Sequence, residues 1–281
     1  MSDTAFQTKY RDEFIAKFEQ GETLLRKTVT TEADINGNTA VFLVAGSGSD
    51  EAVTRGPNGL IPGHVDDLTQ LSCTLAEWHD RRVKTRFNIY TGQGNQSLIM
   101  QRMSMNVVNR KIDSDILVQL ETATQDTGSA ATMSLDLVTY AKVILGNNEV
   151  PLDGNVFGLL TPAAHGYLEQ TREFASAEYT KRMPFDGSGK NGVYTSFLWS
   201  GINWIVHPRL TGKGTSAEKC IIYHRNAIGH AIDTENLQVV VDYNKEHDYS
   251  YARTTGFFGS KLLQNEGVVI INHDGSGYAA Q

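Results

Sequence analysis

The stretch "GSGSDEAVTRGPNGLIPG", Gly46 to Gly63, follows an apolar run, "AVFLVA". A strand leading into a glycine-rich turn is how many phosphate-binding sites begin. The chemistry would need a lysine to reach the phosphates and a hydroxyl to hold magnesium, in the pattern G-x-x-x-x-G-K-[ST]. No Gly-Lys-Ser/Thr occurs anywhere: Gly189-Lys190 precedes Asn191, and Gly212-Lys213 precedes Gly214. The dinucleotide pattern G-x-G-x-x-G also fails, because Gly46 and Gly48 are followed by Glu51 at the third glycine position. Pro57 and Pro62 interrupt the segment where a helix would have to start. The stretch therefore reads as a proline-punctuated excursion rather than a phosphate cradle.

The other reactive side chains are scattered. None of the eight histidines sits in H-E-x-x-H or in close Cys/His spacing for zinc. His224 and His230, in "YHRNAIGH", form the nearest pair, but "NAIG" between them reads as a turn or helix start, and both are expected to be structural. No G-x-S-x-G elbow is present. Asp113 and Asp115 are two apart on a predicted helix and do not share a face. They are expected to be solvated or paired with a basic neighbour such as Lys111. Cys73 and Cys220, far apart in a chain expected to be cytosolic, read as buried thiols. No enzyme constellation emerges, and no cofactor or metal is expected.

Composition narrows the classes further. The chain has 281 residues, 40% apolar and 20% charged, which is ordinary globular composition. No apolar run approaches the roughly 20 residues needed to span a bilayer, and the charged N-terminus lacks a signal-peptide core, so no membrane partner is expected. A net charge of −7 argues against a surface that grips nucleic acid as a whole. "DRRVKTR", Asp80 to Arg86, is the one dense basic cluster.

The elements that would carry these residues are uneven in kind. Phe6, Tyr10, Phe14 and Phe18 recur every four residues, predicting an amphipathic helix over 4–19, with Gly21 as its stop. Such an aromatic seam packs either on its own domain or on a neighbouring subunit. Asn36-Gly37 signals a hairpin between two strands. Extended sequence resumes in "LTQLSCTLAEWHDRRVKTRFNIY", with Leu71, Cys73 and Leu75 on one face. Residues 24–90 thus predict β-arms flanking a long tip, and a structureless connection of about 20 residues is often functional.

A long helix is predicted over 95–123, capped by Asn95. Its main stripe is Met105, Val108, Ile112, Ile116 and Leu120, with a second line at Ile99, Met103 and Val107. A shorter helix over 135–145 has Ser134 as its cap and Gly146 as its stop. Thr161 and Pro162 then open another. The last third is a series of apolar strand-like runs, making the chain α+β with an extended N-terminal third.

Three segments in this order carry a family resemblance. "NQSLIMQRMSMNVVNRKIDSDILVQL" resembles the spine helix of tailed-bacteriophage major capsid proteins. "NNEVPLDGNVFGLLTPAAHGYLEQTREF" resembles the coat-family passage in which a P-x-D-G turn leads to a buried strand, a proline and a helix. "GVYTSFLWSGINWIVHPRLTG", followed by "CIIYHRNAIGHAI", is similar to the later strands, with H-x-x-A-I-G as a recurring phrase. The resemblance implies the Hong Kong 97-like fold: an N-terminal arm over 1–30, an E-loop hairpin over 31–90, a peripheral domain with the spine helix over 91–133, an axial domain over 134–250, and a return to the peripheral domain over 251–281.

It also implies a structural, non-enzymatic role. Copies would form the pentamers and hexamers of an icosahedral head that encloses double-stranded DNA without sequence-specific contacts, assembled in the host cytoplasm and located in the virion. Phe6, Tyr10, Phe14 and Phe18 would be the intersubunit arm. Gly46, Gly48, Arg55, Pro57 and Pro62 would mark the E-loop tip. A portal, a separate scaffolding protein and a decoration or cement protein would be further partners. The scaffold is inferred because the chain begins directly with the arm, with no scaffolding extension ahead of it. Two other readings compete. An encapsulin-like compartment shares the fold but encloses protein cargo; a cytosolic enzyme would hold a nucleotide or sugar at Gly46 to Gly63.

Overall fold

The computed structural model describes residues 19–32, 35, 37–47, 50–56, 58–59, 61, 63–65, 67–92, 95–175 and 196–278. The predicted helix over 4–19, with its aromatic seam, lies almost wholly outside them.

The organising element is a 25-residue helix, α2 (Gln96–Leu120), preceded by the short α1 (Arg86–Thr91). At 1.5 Å per residue α2 is a rod of about 38 Å. It starts where Asn95 predicts, because the Asn95 Oδ1 accepts a hydrogen bond from the Leu98 amide at 3.1 Å. The expected stripe is buried at Val108, Ile112, Ile116 and Leu120, but Met105 is 42% exposed. Spacing by four continues the buried line to Ser104 and Met100. Met105 is turned about 100° away from Ser104 and faces out.

Two sheets flank this helix. The first has strand order β1-β9-β10-β4, from β1 (Thr30–Glu32), β9 (Ile228–Asn244), β10 (Tyr249–Leu262) and β4 (Ala76–Thr85). The second has order β11-β8-β5-β7-β6, from β5 (Val156–Leu160), β6 (Ser196–Trp199), β7 (Ile202–Val206), β8 (Glu218–His224) and β11 (Val268–His273). Val108, Ile112, Ile116 and Leu120 meet Ile228, Ile232 and Phe258 of the first sheet and Leu159, Ile221 and Ile270 of the second. The other face of the second sheet is covered by α3 (Leu135–Asn147) and α4 (Pro162–Glu169), through Val138, Leu145, Ala164 and Leu168 against Trp204, Ile222 and Ile271. Burial on both faces explains why "CIIY" and "VVII" are unbroken apolar runs. A short α5 (Arg172–Ala175) follows α4. The described part of 251–281 is shared between the sheets: β10 pairs with β4 and β9, whereas β11 pairs with β8.

Two strands stand apart. β2 (Thr39–Gly46) and β3 (Asp67–Thr74) form an antiparallel ribbon of their own, in register from Thr39↔Thr74 to Gly46↔Asp67.

Local signals hold at most element starts. The Ser134 Oγ caps α3 through Leu137 N, and the Thr161 Oγ1 caps α4 through Ala164 N with Pro162 at the first helical position. Three expectations are corrected. Gly37 has φ +106 and turns the chain, but no hairpin joins the strands beside it. β1 pairs in parallel with β9 (Thr30↔Gly229), and β2 pairs with β3. Residues Arg86–Thr91 are helical rather than extended, because the Thr85 Oγ1 accepts from Asn88 N and caps a turn there. The helix predicted to stop at Gly146 runs on through Asn147, and Glu149 takes the left-handed conformation (φ 59) instead.

Candidate functional site

The ribbon has two different faces, because side chains alternate along each strand. On one face Ala40 and Cys73 are buried and pack with Ala231 of the first sheet; Phe42 and Leu75 lie beside them. The approach is close enough to require glycine. A Cβ on Gly259 would stand 2.5 Å from the Thr74 carbonyl oxygen, and one on Gly229 would stand 2.9 Å from the Phe42 ring. On the other face Val41 is 59%, Leu43 63% and Leu68 58% exposed. Beyond the strands lies the long tip. Gly46 closes β2 and is exposed, as is Arg55. Val53, Ile61 and Val65 are exposed apolar side chains there. His64 Nδ1 meets the Asp50 carboxylate at 3.2 Å, and Gly59 turns the chain at φ +73. Gly48, Pro57 and Pro62 lie outside the described residues.

A second feature is the anchor where the N-terminal segment leaves the body. One row of α2, spaced i, i+3, i+4, i+7, grips it. Asn106 donates to the Glu19 carboxylate at 2.7 Å, Asn109 donates to the Gly21 carbonyl at 2.8 Å, and Arg110 pairs with Glu19 at 2.8 Å. Asp113, buried, accepts the Leu24 amide at 3.0 Å and the Leu25 amide at 3.2 Å, and Gln20 Nε2 donates to it as well. His207 Nε2 lies 3.7 Å away. The Asn106 hydrogen bond, followed by Arg110, holds the Glu19 carboxyl below its usual range. This corrects the expectation for Asp113, which is neither solvated nor paired with Lys111. The Lys111 ammonium lies over the Trp78 ring, 3.9 Å from its centre. Asp115 is half-buried beneath the first sheet, and burial raises its carboxyl. Phe6, Tyr10, Phe14 and Phe18, which would continue from this anchor, lie outside the described residues.

The remaining candidates are dispersed. His224 caps the turn after β8, its Nδ1 accepting from Asn226 N at 3.2 Å, and its Nε2 meets Asp153 at 3.3 Å. His230, in the other sheet, meets Ser260 Oγ at 3.0 Å. Both thiols are free and buried, and burial pushes Cys73 up and Cys220 up to about 12. Among the described residues no group of three or more His, Cys, Asp or Glu side chains could hold a metal ion, and no helix is long and apolar enough to cross a membrane. The basic cluster is split by strand alternation. Arg82 pairs with Asp80 at 3.0 Å and Lys84 reaches Gln96, while Arg81 points to the opposite face of the sheet and lies over Tyr249 and Tyr251.

The chain thus combines a body built on one long helix, a ribbon with an apolar outer face, and an anchored terminal segment. A family model for phage capsid proteins matches residues 2–275. The chain belongs to the phage capsid protein family. No sequence among the curated proteins matches it. Solved structures show the same fold for this capsid protein at low identity. Mycobacterium phage Che8 is similar with a TM-score of 0.73 and 15% identity, over 96% of this chain and 98% of that one. The capsid of Ralstonia phage GP4 is similar with a TM-score of 0.71 and 9% identity, over 97% and 96%. The capsid of Cyanophage P-SCSP1u gives 0.67 and 11%, over 95% and 93%. The fold is Hong Kong 97-like, and the capsid protein is a structural component of the virion shell.

Proposed function

We propose that copies of this capsid protein assemble into the pentamers and hexamers of an icosahedral head that encloses double-stranded DNA. Residues 1–30 act as the arm, with Phe6, Tyr10, Phe14 and Phe18 buried on assembly. Residues 31–90 act as the E-loop, residues 91–133 hold the spine helix in the peripheral domain, 134–250 build the axial domain, and 251–281 return to the peripheral domain. Gly46, Gly48, Arg55, Pro57 and Pro62 belong to a tip that adapts to differently curved neighbours. A portal, a separate scaffolding protein and a decoration protein complete the head, which assembles in the host cytoplasm and holds its DNA without sequence-specific contacts.

One observation carries this reading: the β2–β3 ribbon leaves Val41, Leu43 and Leu68 more than half exposed on one face, while its other face is fixed to the body by Ala40 and Cys73. Removing an aliphatic side chain of this size from water contributes about 1.5–3 kcal/mol, and a second copy supplies a surface for it. Contacts that join different surfaces of identical subunits generate rings when the rotation between them closes. Negative-stain electron microscopy of the purified protein, with light scattering for mass, tests the reading. Rings and shells are expected; a monomer or dimer that persists at high concentration contradicts it.

A further inference from the structure

The face of the first sheet turned away from the spine helix carries an unusual pair. Arg81 on β4 and Arg253 on β10 are direct register partners, so their side chains stand side by side on one face, and both are exposed. Like charges directly opposite each other on adjacent strands are destabilising. Neither forms an ion pair among the described residues, whereas Arg82 pairs with Asp80 and Arg110 with Glu19. Protection of a sheet edge explains a charge on β4, an edge strand. It does not explain Arg253, which lies on β10 inside the sheet.

Arg81 is also held in place. Its guanidinium lies 5.0 Å from the centres of both the Tyr249 and Tyr251 rings and donates to the Tyr249 hydroxyl. A planar fork fixed in this way loses little freedom when it binds a carboxylate or phosphate. Three carboxylates share the face without pairing with either arginine among the described residues. Asp233 stands opposite Phe257, four positions along β10 from Arg253. Glu77 is engaged with His79 at 3.0 Å, and Asp242 accepts the Tyr243 amide.

We infer that Arg81 and Arg253 form a carboxylate-binding pair that receives Glu51 and Asp67 from the ribbon tip of a second copy. The inference rests on the shell reading above. The base of the ribbon packs on this same face, where Gly259 meets Thr74 and Cys73, and strand alternation places Gly259 and Arg253 on one side of β10. In an assembly whose symmetry axes stand normal to this sheet face, every copy presents the face on the same side, which brings one copy's ribbon level with its neighbour's pair. Glu51 and Asp67 are exposed and form no ion pair among the described residues, so they are not seated on their own chain's arginines. Apolar side chains match as well: Val83 beside the pair is 48% exposed, and the tip offers Val53, Ile61 and Val65. A chain of net charge −7 with three carboxylates on this face suits a local acidic partner better than a continuous line of phosphates.

The test uses the full chain with charge reversal and rescue. R81E/R253E, and E51R/D67R, are each expected to raise the subunit concentration needed for assembly at least about tenfold. The combined R81E/R253E/E51R/D67R chain is expected to recover most of it. R253Q, which keeps much of the side chain's packing and relieves the like-charge contact with Arg81, should give a smaller loss, and unassembled R253Q and E51R/D67R subunits should melt no lower than wild type. Wild-type assembly by all variants overturns the pair and leaves the shell reading standing. So does failure of the combined chain to recover. Normal assembly with weakened, salt-dependent retention of duplex DNA overturns it in favour of a phosphate site. Failure of the wild-type chain to form particles overturns both.

Discussion

Asp113 shows how much one carboxylate can organise. It satisfies the backbone amides of Leu24 and Leu25 where the chain turns out of the body, and it does so from within the core. Its removal leaves those donors unsatisfied, so Asp113→Ala should lower subunit stability by about 3 kcal/mol or more, with Asp113→Asn costing less because an amide oxygen still accepts one of them. Urea denaturation of unassembled subunits measures both. His230 gives a pH dependence. Burial, followed by the charge of Arg26, lowers its pKa from 6.5 to about 4, so the folded chain holds it neutral. Between those values the unfolded chain binds the extra proton. Stability is therefore full above pH 6.5 and falls as pH drops toward 4, by at most about 3 kcal/mol from this group. Denaturation at pH 7 and pH 5 should show the fall, and His230→Gln should flatten it. At this scale the sequence is only partly legible. The burial of Cys73 and Cys220 follows from residue type. The role of Asp113 does not, because its partners lie 88 and 89 positions away. The signal that could have found it is the polar row Asn106, Asn109, Arg110 and Asp113, one face of a helix whose neighbouring face is apolar.

At the scale of elements, packing sets the tolerances. Gly158 and Trp204 are register partners in the parallel pair β5–β7, and the indole lies across the glycine: a Cβ there would stand 2.3 Å from the ring. Trp204 is fully buried and has nowhere to move. Gly158→Ala should therefore destabilise the subunit by about 1–3 kcal/mol or prevent folding outright, read as a lowered melting temperature or as insoluble expression. Helix starts were legible because capping is local: Asn95, Ser134 and Thr161 each bond an amide three residues on. Strand partners were not. Asn36-Gly37 announces a turn, yet which strand β1 joins is decided by β9, about 200 residues away, and by the Asp113 anchor just before it. Sequence spacing also misplaced Met105, which precedes Val108 by three residues rather than four and so leaves the buried line that continues through Ser104 and Met100.

At the scale of the molecule, the order of elements was the legible feature: an extended β-ribbon, one very long helix, then a strand-rich body. That order pointed to a subunit that does not bury all its apolar surface alone. Val41, Leu43 and Leu68 on the ribbon and Val53, Ile61 and Val65 at the tip now locate part of that surface. The surface we infer to receive the tip was not legible, because it depends on Arg81 and Arg253 being brought side by side from positions 172 apart by the pairing of β4 with β10. The phosphate-loop reading of Gly46 to Gly63 gives way to a tip that we propose contacts another chain. The central claim is that this capsid protein builds a closed shell from copies of itself. Negative-stain electron microscopy of the purified, untagged chain is the most direct test: rings of five and six subunits and closed shells of megadalton mass are expected, and a population of discrete monomers or dimers at every concentration tried would contradict the account.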